Sequence, residues 1–413
     1  MAFLYGQAIL HKIFSVHLYA TTCSIGINMS HKTSATNHPT QKPALNWLPI
    51  SVFSISAILT LLAVPYYAFT HGFDIWQIAA MVIGITFCEI SITAGYHRLW
   101  SHRAYEAHWL VRLFFAIGGT YAVQNTILHW CSDHRIHHSH VDENAKDPYS
   151  AKRGFWYSHM GWMIRDYNLN PNKNYENCKD LKKDPIVMFQ HKHYLPLVLG
   201  LNFGLPILLG LWHGDLVGMM LLAGVARLFI SHHLTFFINS LAHVWGKQPY
   251  SDKNTSKDNP IIALLTFGEG YHNYHHSFQR DYRNAIRWWQ YDPTKWLIRG
   301  LSFMGLAKNL YRAPLEYIEK ERAIMLLKNT TTKLSQRLHS EALIQRLHDE
   351  YEILMRNMNA FAKAKRQCIE ARKNSMMQGC DIEALKAKAE TLKANFLEQK
   401  KNWLSLNAQM VMA

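Results

Sequence analysis

The sequence is poor in cysteine and in acidic residues. Its 413 residues include six cysteines, and no two of them form a CxxC pair. This scatter excludes a disulfide framework and a zinc ribbon, and it fits a reducing compartment. Asp and Glu number 29 against 44 Lys and Arg, which leaves a formal net charge of +15. Such a charge could serve nucleic-acid binding, but no nucleic-acid motif accompanies it, so we expect no nucleic-acid partner.

A good signal peptide is also lacking. His11, Lys12 and His17 interrupt any apolar core in the first 28 residues. Residues 1–44 are polar and end in a stretch rich in Ser, Thr, Asn, Pro and Lys, which predicts an N-terminal tail. Within this tail, Met29 is a second candidate for the first residue of the protein.

Long apolar runs are present, although the mean hydropathy is only −0.14. Four runs are long enough to cross a bilayer, at about residues 45–70, 73–96, 194–213 and 215–240. Short turns at His71-Gly72 and His213-Gly214 would join them into two hairpins. Buried helices of a large soluble protein are the alternative, but four paired runs are hard to place in a soluble core. We therefore predict an all-α integral membrane protein with four transmembrane helices and a helical cap.

A fifth apolar stretch, His108–Trp130, is interrupted by Arg112, Gln124 and Asn125, so we expect a helix near the membrane interface. With four spans, residues 1–45, residues 99–192 and everything after Ser240 share one side. Lys and Arg are abundant in these regions, which predicts that they and both termini are cytoplasmic. Basic regions at that face would also attract anionic lipid of the bilayer.

The composition becomes charged after about Tyr311. Leu347, Leu354 and Met358 belong to an apolar series at spacings of three and four residues, which predicts one apolar helical face. Gly379 interrupts the series, so we expect a helical hairpin packed on the main body or on a partner. A solvated charged helix is the alternative. The predicted parts are a tail at 1–44, a membrane domain at 45–315 and a helical extension at 316–413.

Histidines are the outlier of the composition, and eight of the 25 form three clusters. The clusters are HRLWSH with His97 and His102, HRIHH with His134, His137 and His138, and HNYHH with His272, His275 and His276. The spacing H-x2-H-H puts its three imidazoles on one face of a helix. Residues five apart lie roughly 140° apart on an α-helix, so the first pair converges only if its helix bends or frays.

Eight imidazoles exceed the four ligand positions of one tetrahedral zinc, whereas two metals with four or five ligands each would use them. Imidazole binds Fe, Zn, Cu and Ni, so the ligand type leaves the metal open. A metal transporter would place its ligands along a path through the bilayer, but these clusters lie at one face.

The sequence resembles the membrane fatty acyl desaturases, especially the stearoyl-CoA type, over about residues 45–315. The resemblance rests on HRLWSH, DHRIHH, DPYSAKRGFWYSHMGWM from Asp147, DPIVMFQ from Asp184, NSLAH from Asn239 and GEGYHNYHH from Gly268. It implies O2-dependent conversion of saturated C16 or C18 acyl thioesters to cis-Δ9 products at two irons. The eight clustered histidines and His243 would be ligands, Asn239 would approach one iron through water, and no other catalytic residue is implied.

The resemblance further implies a bent acyl tunnel whose bend is fixed by Gln124, Trp130 and Thr235. Asn125, Asp133 and Arg165 correspond to contacts of the CoA headgroup. Two positions depart from the pattern, because Ser132 replaces an expected Arg and Asp166 an expected Lys. Acyl carrier protein or lipid-bound acyl groups therefore remain alternatives to CoA, and a related hydroxylase remains an alternative reaction.

No HPGG motif of a fused cytochrome b5 occurs in the sequence. We therefore expect a separate electron donor, either cytochrome b5-like or ferredoxin-like.

Overall fold

A computed structural model describes residues 43–167, 174–337, 340–373 and 379–412. The predicted tail up to residue 42 and the alternative first residue Met29 lie outside these ranges. Short helical turns are not labelled below. The helices and strands, in chain order, are α1 Trp47–Thr70, α2 Ile75–Ser101, β1 Glu106–Ala107, α3 Trp109–Tyr121, α4 Ile127–Ser139, α5 Trp162–Ile164, α6 Pro185–Lys192, α7 Tyr194–His213, α8 Leu216–Val244, α9 Pro260–Leu265, α10 His272–Ser277, α11 Pro293–Phe303, β2 Ala307–Lys308, α12 Leu315–Leu334, α13 Glu341–Lys373 and α14 Gly379–Met412.

Four helices of the described chain, α1, α2, α7 and α8, are long and apolar enough to cross a membrane. They correspond to the four predicted runs, so the prediction of a mostly helical membrane protein is confirmed. Helices α2 and α8 continue to Ser101 and Val244, several residues beyond their predicted ends. These extensions carry His97 and His243, so the ends of two spans contribute to the site described below.

The two short turns between the spans lie beside each other. Asp74 caps α2 by accepting hydrogen bonds from the backbone N–H groups of Trp76 and Gln77, at 2.9 and 3.0 Å. Asp215 caps α8 and also accepts from Tyr67 Oη at 2.8 Å and from Gln77 Nε2 at 2.6 Å. One carboxylate therefore links α8 to both helices of the first pair.

Helix α3 packs closely against α2 because glycines face it. A Cβ added at Gly119 would lie 2.1 Å from Tyr96, and one at Gly118 would lie 2.0 Å from Ser91. The opposite face of α3 exposes Trp109. The predicted single stretch at 108–130 is in fact two helices, since α3 ends at Tyr121 and α4 begins at Ile127. The interfacial position of α3 stays a prediction, whereas Ile127–Trp130 form the first turn of α4, in which Ile127 and Leu128 are buried.

The three C-terminal helices form a bundle with its own apolar core. Leu347, Leu354 and Met358 of α13 are buried against Phe396 and Trp403 of α14 and residues of α12. The predicted apolar face of α13 is therefore the face that packs. The first turn of α12 contacts the rest of the chain, where Ile318 lies in an apolar cluster with Tyr274 and Phe278.

Candidate metal centre

The end of α2 brings its two clustered histidines together. Residues Ser91–Ser101 are π-helical, and the backbone N–H of His102 donates to the carbonyl of His97 at 3.1 Å. Hydrogen bonds from residue i+5 to residue i place residues five apart on the same side of the helix. The two rings consequently lie 4.8 Å apart between centroids. The expected departure from α-helical geometry between them is thus a π-helical turn.

Nine histidines converge, in two groups. The nitrogens of each group lie within 4.8 Å of one another, and the groups are His97, His102, His134, His138 and His275, then His137, His243, His272 and His276. Helix α4 contributes to both groups, since adjacent residues of its cluster point to different groups, and helix α10 does the same. All nine predicted histidine ligands are therefore brought together.

The spacing of the nitrogens suits metal binding. Nε2 of His97 lies 2.9 Å from Nε2 of His275, and Nε2 of His243 lies 3.1 Å from Nε2 of His272. Two nitrogens about 2.1 Å from a shared metal, and 90–110° apart, would lie about 3.0–3.4 Å from each other. The donor set therefore fits two metal ions, one in each group.

Burial also prepares the imidazoles for metal binding. Burial first, and neighbouring charged groups next, lower the pKa well below the usual value for His102, His134, His138, His272, His275 and His276. A neutral imidazole keeps the nitrogen lone pair that a metal requires. These histidines are accordingly neutral and available as ligands near pH 7.

A buried carboxylate orients one histidine of the five-histidine group. Glu269 Oε2 lies 3.0 Å from His97 Nδ1, and Glu269 Oε1 accepts from Arg98 Nη2 at 2.9 Å. Burial favours a higher pKa for Glu269, but His97 and Arg98 outweigh it and lower the pKa to about 2. The ionised carboxylate accepts a hydrogen bond from the Nδ1–H group of His97. The Nε2 lone pair is then free to face the other imidazoles.

The four-histidine group has two such supports. Asp147 Oδ1 lies 2.8 Å from His137 Nδ1, and this carboxylate also accepts from the backbone N–H of Asp142 at 2.9 Å. Thr255 Oγ1 lies 2.8 Å from His243 Nδ1, and the Thr255 hydroxyl donates a hydrogen bond to Asp142 Oδ1 at 2.8 Å. Because the hydroxyl proton of Thr255 goes to Asp142, Nδ1 of His243 must be the donor, and its Nε2 keeps the lone pair.

Sequence reasoning missed these supporting residues. Asp147 and Glu269 stand in motifs that carry the resemblance, at the start of DPYSAK and inside GEGYHNYHH. A carboxylate inside a family motif was the available signal for both residues. Asp142 and Thr255 had none, because each is an ordinary polar residue of a loop.

A mostly apolar cavity of about 1130 Å³, called the tunnel below after the predicted acyl tunnel, reaches both histidine groups. Its walls include His97 and His134 of the five-histidine group, and His272 of the four-histidine group. The remaining predicted site residues also line it, namely Gln124, Asn125, Trp130, Asp133, Arg165, Thr235 and Asn239. The structure thus places every predicted metal or substrate residue at the histidine centre or on the tunnel wall.

Individual contacts in the tunnel refine the predictions. Gln124 Nε2 donates to Thr235 Oγ1 at 2.7 Å, while Trp130 stacks on the His134 ring at a centroid distance of 4.8 Å. Asp133 forms an ion pair with His129 at 3.3 Å, and Arg165 donates to the carbonyl of Pro43 at 2.7 Å. Asp133 and Arg165, which we predicted to contact the CoA headgroup, therefore already have partners within the chain.

The fold and the site define an integral membrane protein with a candidate two-metal histidine centre beside an apolar tunnel. Residues 74–311 match the fatty acid desaturase family, and this is more than half of the chain. The chain belongs to that family, which confirms the resemblance.

Named relatives agree with the family assignment. The chain is 50% identical over 235 residues to acyl-CoA desaturase 1 of Saccharomyces cerevisiae, which covers 56% of this chain and 45% of that protein. It is 46% identical over 279 residues to a probable acyl-CoA desaturase of Schizosaccharomyces pombe, covering 67% and 57%. It is 38% identical over 238 residues to human stearoyl-CoA desaturase 5, covering 57% and 72%. The match spans about half the length of the two yeast proteins.

Proposed function

We propose that this chain is an O2-dependent desaturase that forms a cis double bond between C9 and C10 of saturated C16 or C18 acyl-CoA. One observation carries the proposal: His97, His134 and His272 line the same apolar tunnel as Gln124 and Thr235. An acyl chain lying in that tunnel would pass beside both histidine groups. The names of the relatives support acyl-CoA as the substrate.

The nine histidines would hold two irons, and Asn239 would approach one of them through water. Bound iron supplies the redox chemistry for attacking an unactivated methylene, which redox-inert zinc cannot supply. Each turnover removes two hydrogen atoms from neighbouring carbons. Together with two electrons and two protons they reduce one O2 to two waters. The electrons would come from a separate donor, cytochrome b5-like or ferredoxin-like.

The chain's own residues would position the acyl chain and the histidine rings, and they would exclude water from the site. The hydrogen bond from Gln124 to Thr235 holds the loop between α3 and α4 against α8 at the tunnel wall. Glu269 and Asp147 fix the ring orientation of His97 and His137. The apolar wall excludes water from the methylenes, which protects the reacting carbons from side reactions. We place this site and both termini on the cytoplasmic side, where Lys and Arg are abundant.

The proposal is tested in a host that lacks its own Δ9 desaturase. Expression of the chain should restore monounsaturated C16 and C18 chains, detected by mass spectrometry of derivatised lipids. His137→Ala should abolish the product because a ligand is lost. His140→Ala is the matched control, since His140 follows the same cluster but pairs with Glu143 at the surface.

Two results would contradict the proposal. One is hydroxylated chains in place of olefins, which would show the alternative reaction. The other is conversion of lipid-bound or carrier-protein-bound acyl groups, but not acyl-CoA, by the purified protein, which would exclude CoA as the carrier.

A further inference from the structure

The C-terminal bundle contains a second cavity that shares no lining residue with the tunnel. Its volume is about 590 Å³, and its walls come from α12, α13, α14 and residues 247–252 of the loop after α8. Most of these residues lie beyond residue 311, where the family match ends. A volume between about 300 and 1,000 Å³ is typical of small-molecule sites. The extension therefore contains a space of ligand size that the desaturase reaction does not use.

The floor of this cavity is apolar. Met355 and Met358 of α13 lie there with Met325 of α12 and Phe396 of α14, and all four side chains are buried. Protein interiors are close-packed and contain few voids larger than a water molecule. An apolar floor accepts apolar ligands, and unbranched methionine side chains adapt to ligands of irregular shape. An apolar chain is thus the chemistry that fits the floor.

A buried donor without a partner also lines the cavity. Nε1 of Trp403 has no hydrogen-bond acceptor within the described part of the chain, and this residue is 1% exposed. Buried indole N–H groups usually have a partner. An oxygen atom carried by a ligand would supply the missing acceptor.

The polar side of the cavity carries an excess of positive charge. Glu319 Oε1 lies 2.8 Å from Lys400 Nζ and 3.6 Å from Arg322 Nη1, so two cations share one carboxylate. Lys328 forms an ion pair with Asp252, the other acid among the lining residues. Exposed Lys247 adds a further positive charge. This imbalance favours a ligand with an anionic end.

We propose that the bundle cavity binds one long-chain carboxylate, with its tail at Met355, Met358 and Phe396 and its carboxylate at Lys400 and Arg322. Its volume is about 590 Å³ against about 1130 Å³ for the tunnel, which fits an acyl chain with a small headgroup. We therefore assign the free acid, rather than its CoA thioester, as the ligand.

The loop that forms one wall of this cavity, residues 247–252, also supports the metal centre. Tyr250 and Ser251 donate their backbone N–H groups to Asn273 Oδ1, at 2.9 and 3.2 Å. The same loop carries Thr255, which contacts His243. A bound carboxylate would therefore touch a segment tied to both α10 and the four-histidine group. This binding site goes beyond the proposed desaturation and does not depend on it.

Photo-crosslinking of the purified full-length chain tests the proposal without turnover. A C16 fatty acid bearing a diazirine near its methyl end should label peptides of α13 and α14, and unlabelled C16 acid should compete. Met358→Trp fills the cavity and should reduce bundle labelling at least tenfold, while tunnel labelling persists. Leu343→Trp is the control, because Leu343 lies on the same helix but is exposed and outside the cavity.

Different results of this experiment test the site, the choice of ligand and the headgroup contact. Labelling confined to the tunnel, or equal bundle labelling in Met358→Trp and the unmodified chain, would overturn the site. Stronger competition by C16-CoA than by the free acid at the bundle peptides would overturn the choice of ligand. Lys400→Gln should weaken competition by the free acid severalfold, and unchanged competition would refute the headgroup contact. Labelling of the tunnel tests the proposed function separately.

Discussion

Asp147 Oδ1 lies 2.8 Å from His137 Nδ1, and both side chains are almost completely buried. No Lys or Arg in the described part of the chain pairs with this carboxylate. Its other partners are the backbone N–H groups of Asp142 and Tyr149. In contrast, Glu269 beside His97 is neutralised in part by Arg98. Within the described residues, the carboxylate beside the five-histidine group is thus paired with an arginine, whereas the one beside the four-histidine group is not. This difference permits separate tests of each group.

Asp147→Asn should weaken metal binding by the four-histidine group. The amide keeps the shape but loses the charge that strengthens the bond to His137, and loss of such a support typically costs about 10- to 100-fold in metal affinity. We expect iron content to fall from about two towards one per chain after dialysis against a chelator, measured by elemental analysis. Glu143→Gln, a change of an exposed acid in the same loop, should keep both irons. Full retention of iron by Asp147→Asn would refute this role.

Glu269→Ala should lower the stability of the metal-free protein. It leaves Arg98, which is buried, with Asp292 as its remaining acidic partner. Removing one partner of a buried ion pair costs about 3–5 kcal/mol when the other charge is left uncompensated, so with Asp292 retained the loss should lie below that range. Thermal unfolding in detergent, with the metal removed, measures this effect apart from ligation. Glu106→Ala removes an exposed ion pair with Lys308 and should leave the unfolding temperature unchanged.

Thr235→Val should give a mixture of products with the double bond at more than one position. Valine keeps the volume but removes the hydroxyl that accepts from Gln124. In the unmodified enzyme, saturated chains of increasing length should all be desaturated at C9, counted from the carboxyl end. Mass spectrometry of derivatised products locates the bond in each case. Thr60→Val, on the first span and off the tunnel wall, should keep the single position. A bond held constant from the methyl end would contradict the tunnel assignment.

Two core substitutions should separate the roles of the C-terminal helices. Ile318→Ala removes a contact near Tyr274, which lies between two clustered histidines, whereas Leu347→Ala acts inside the bundle. Each should cost about 2–5 kcal/mol of local packing. We expect Ile318→Ala to lower iron content and Leu347→Ala to leave it unchanged, by elemental analysis of the folded fraction. Equal iron loss in both variants would show that the whole extension supports the site.

The membrane architecture could be predicted because it depends on composition along the chain. A run of about 20 apolar residues identifies a span whatever its neighbours are. The histidine clusters were equally visible, since spacings of three and four residues define a helical face. The ends of α2 and α8 were less visible, because polar residues such as His97 and His243 continue a helix that hydropathy alone would end earlier.

Residue types and short-range spacing thus determined the prediction of a helical membrane protein, its four spans and the eight clustered histidines. Only the tertiary structure decided how the nine histidines divide into five and four, because adjacent histidines of one helix point to different groups. It also decided which polar residues support them. Arg98 and Glu269 are 171 residues apart in sequence and meet only when the end of α2 packs against the loop before α10. Long-range contacts of this kind depend on the packing of whole helices, and no local pattern encodes them.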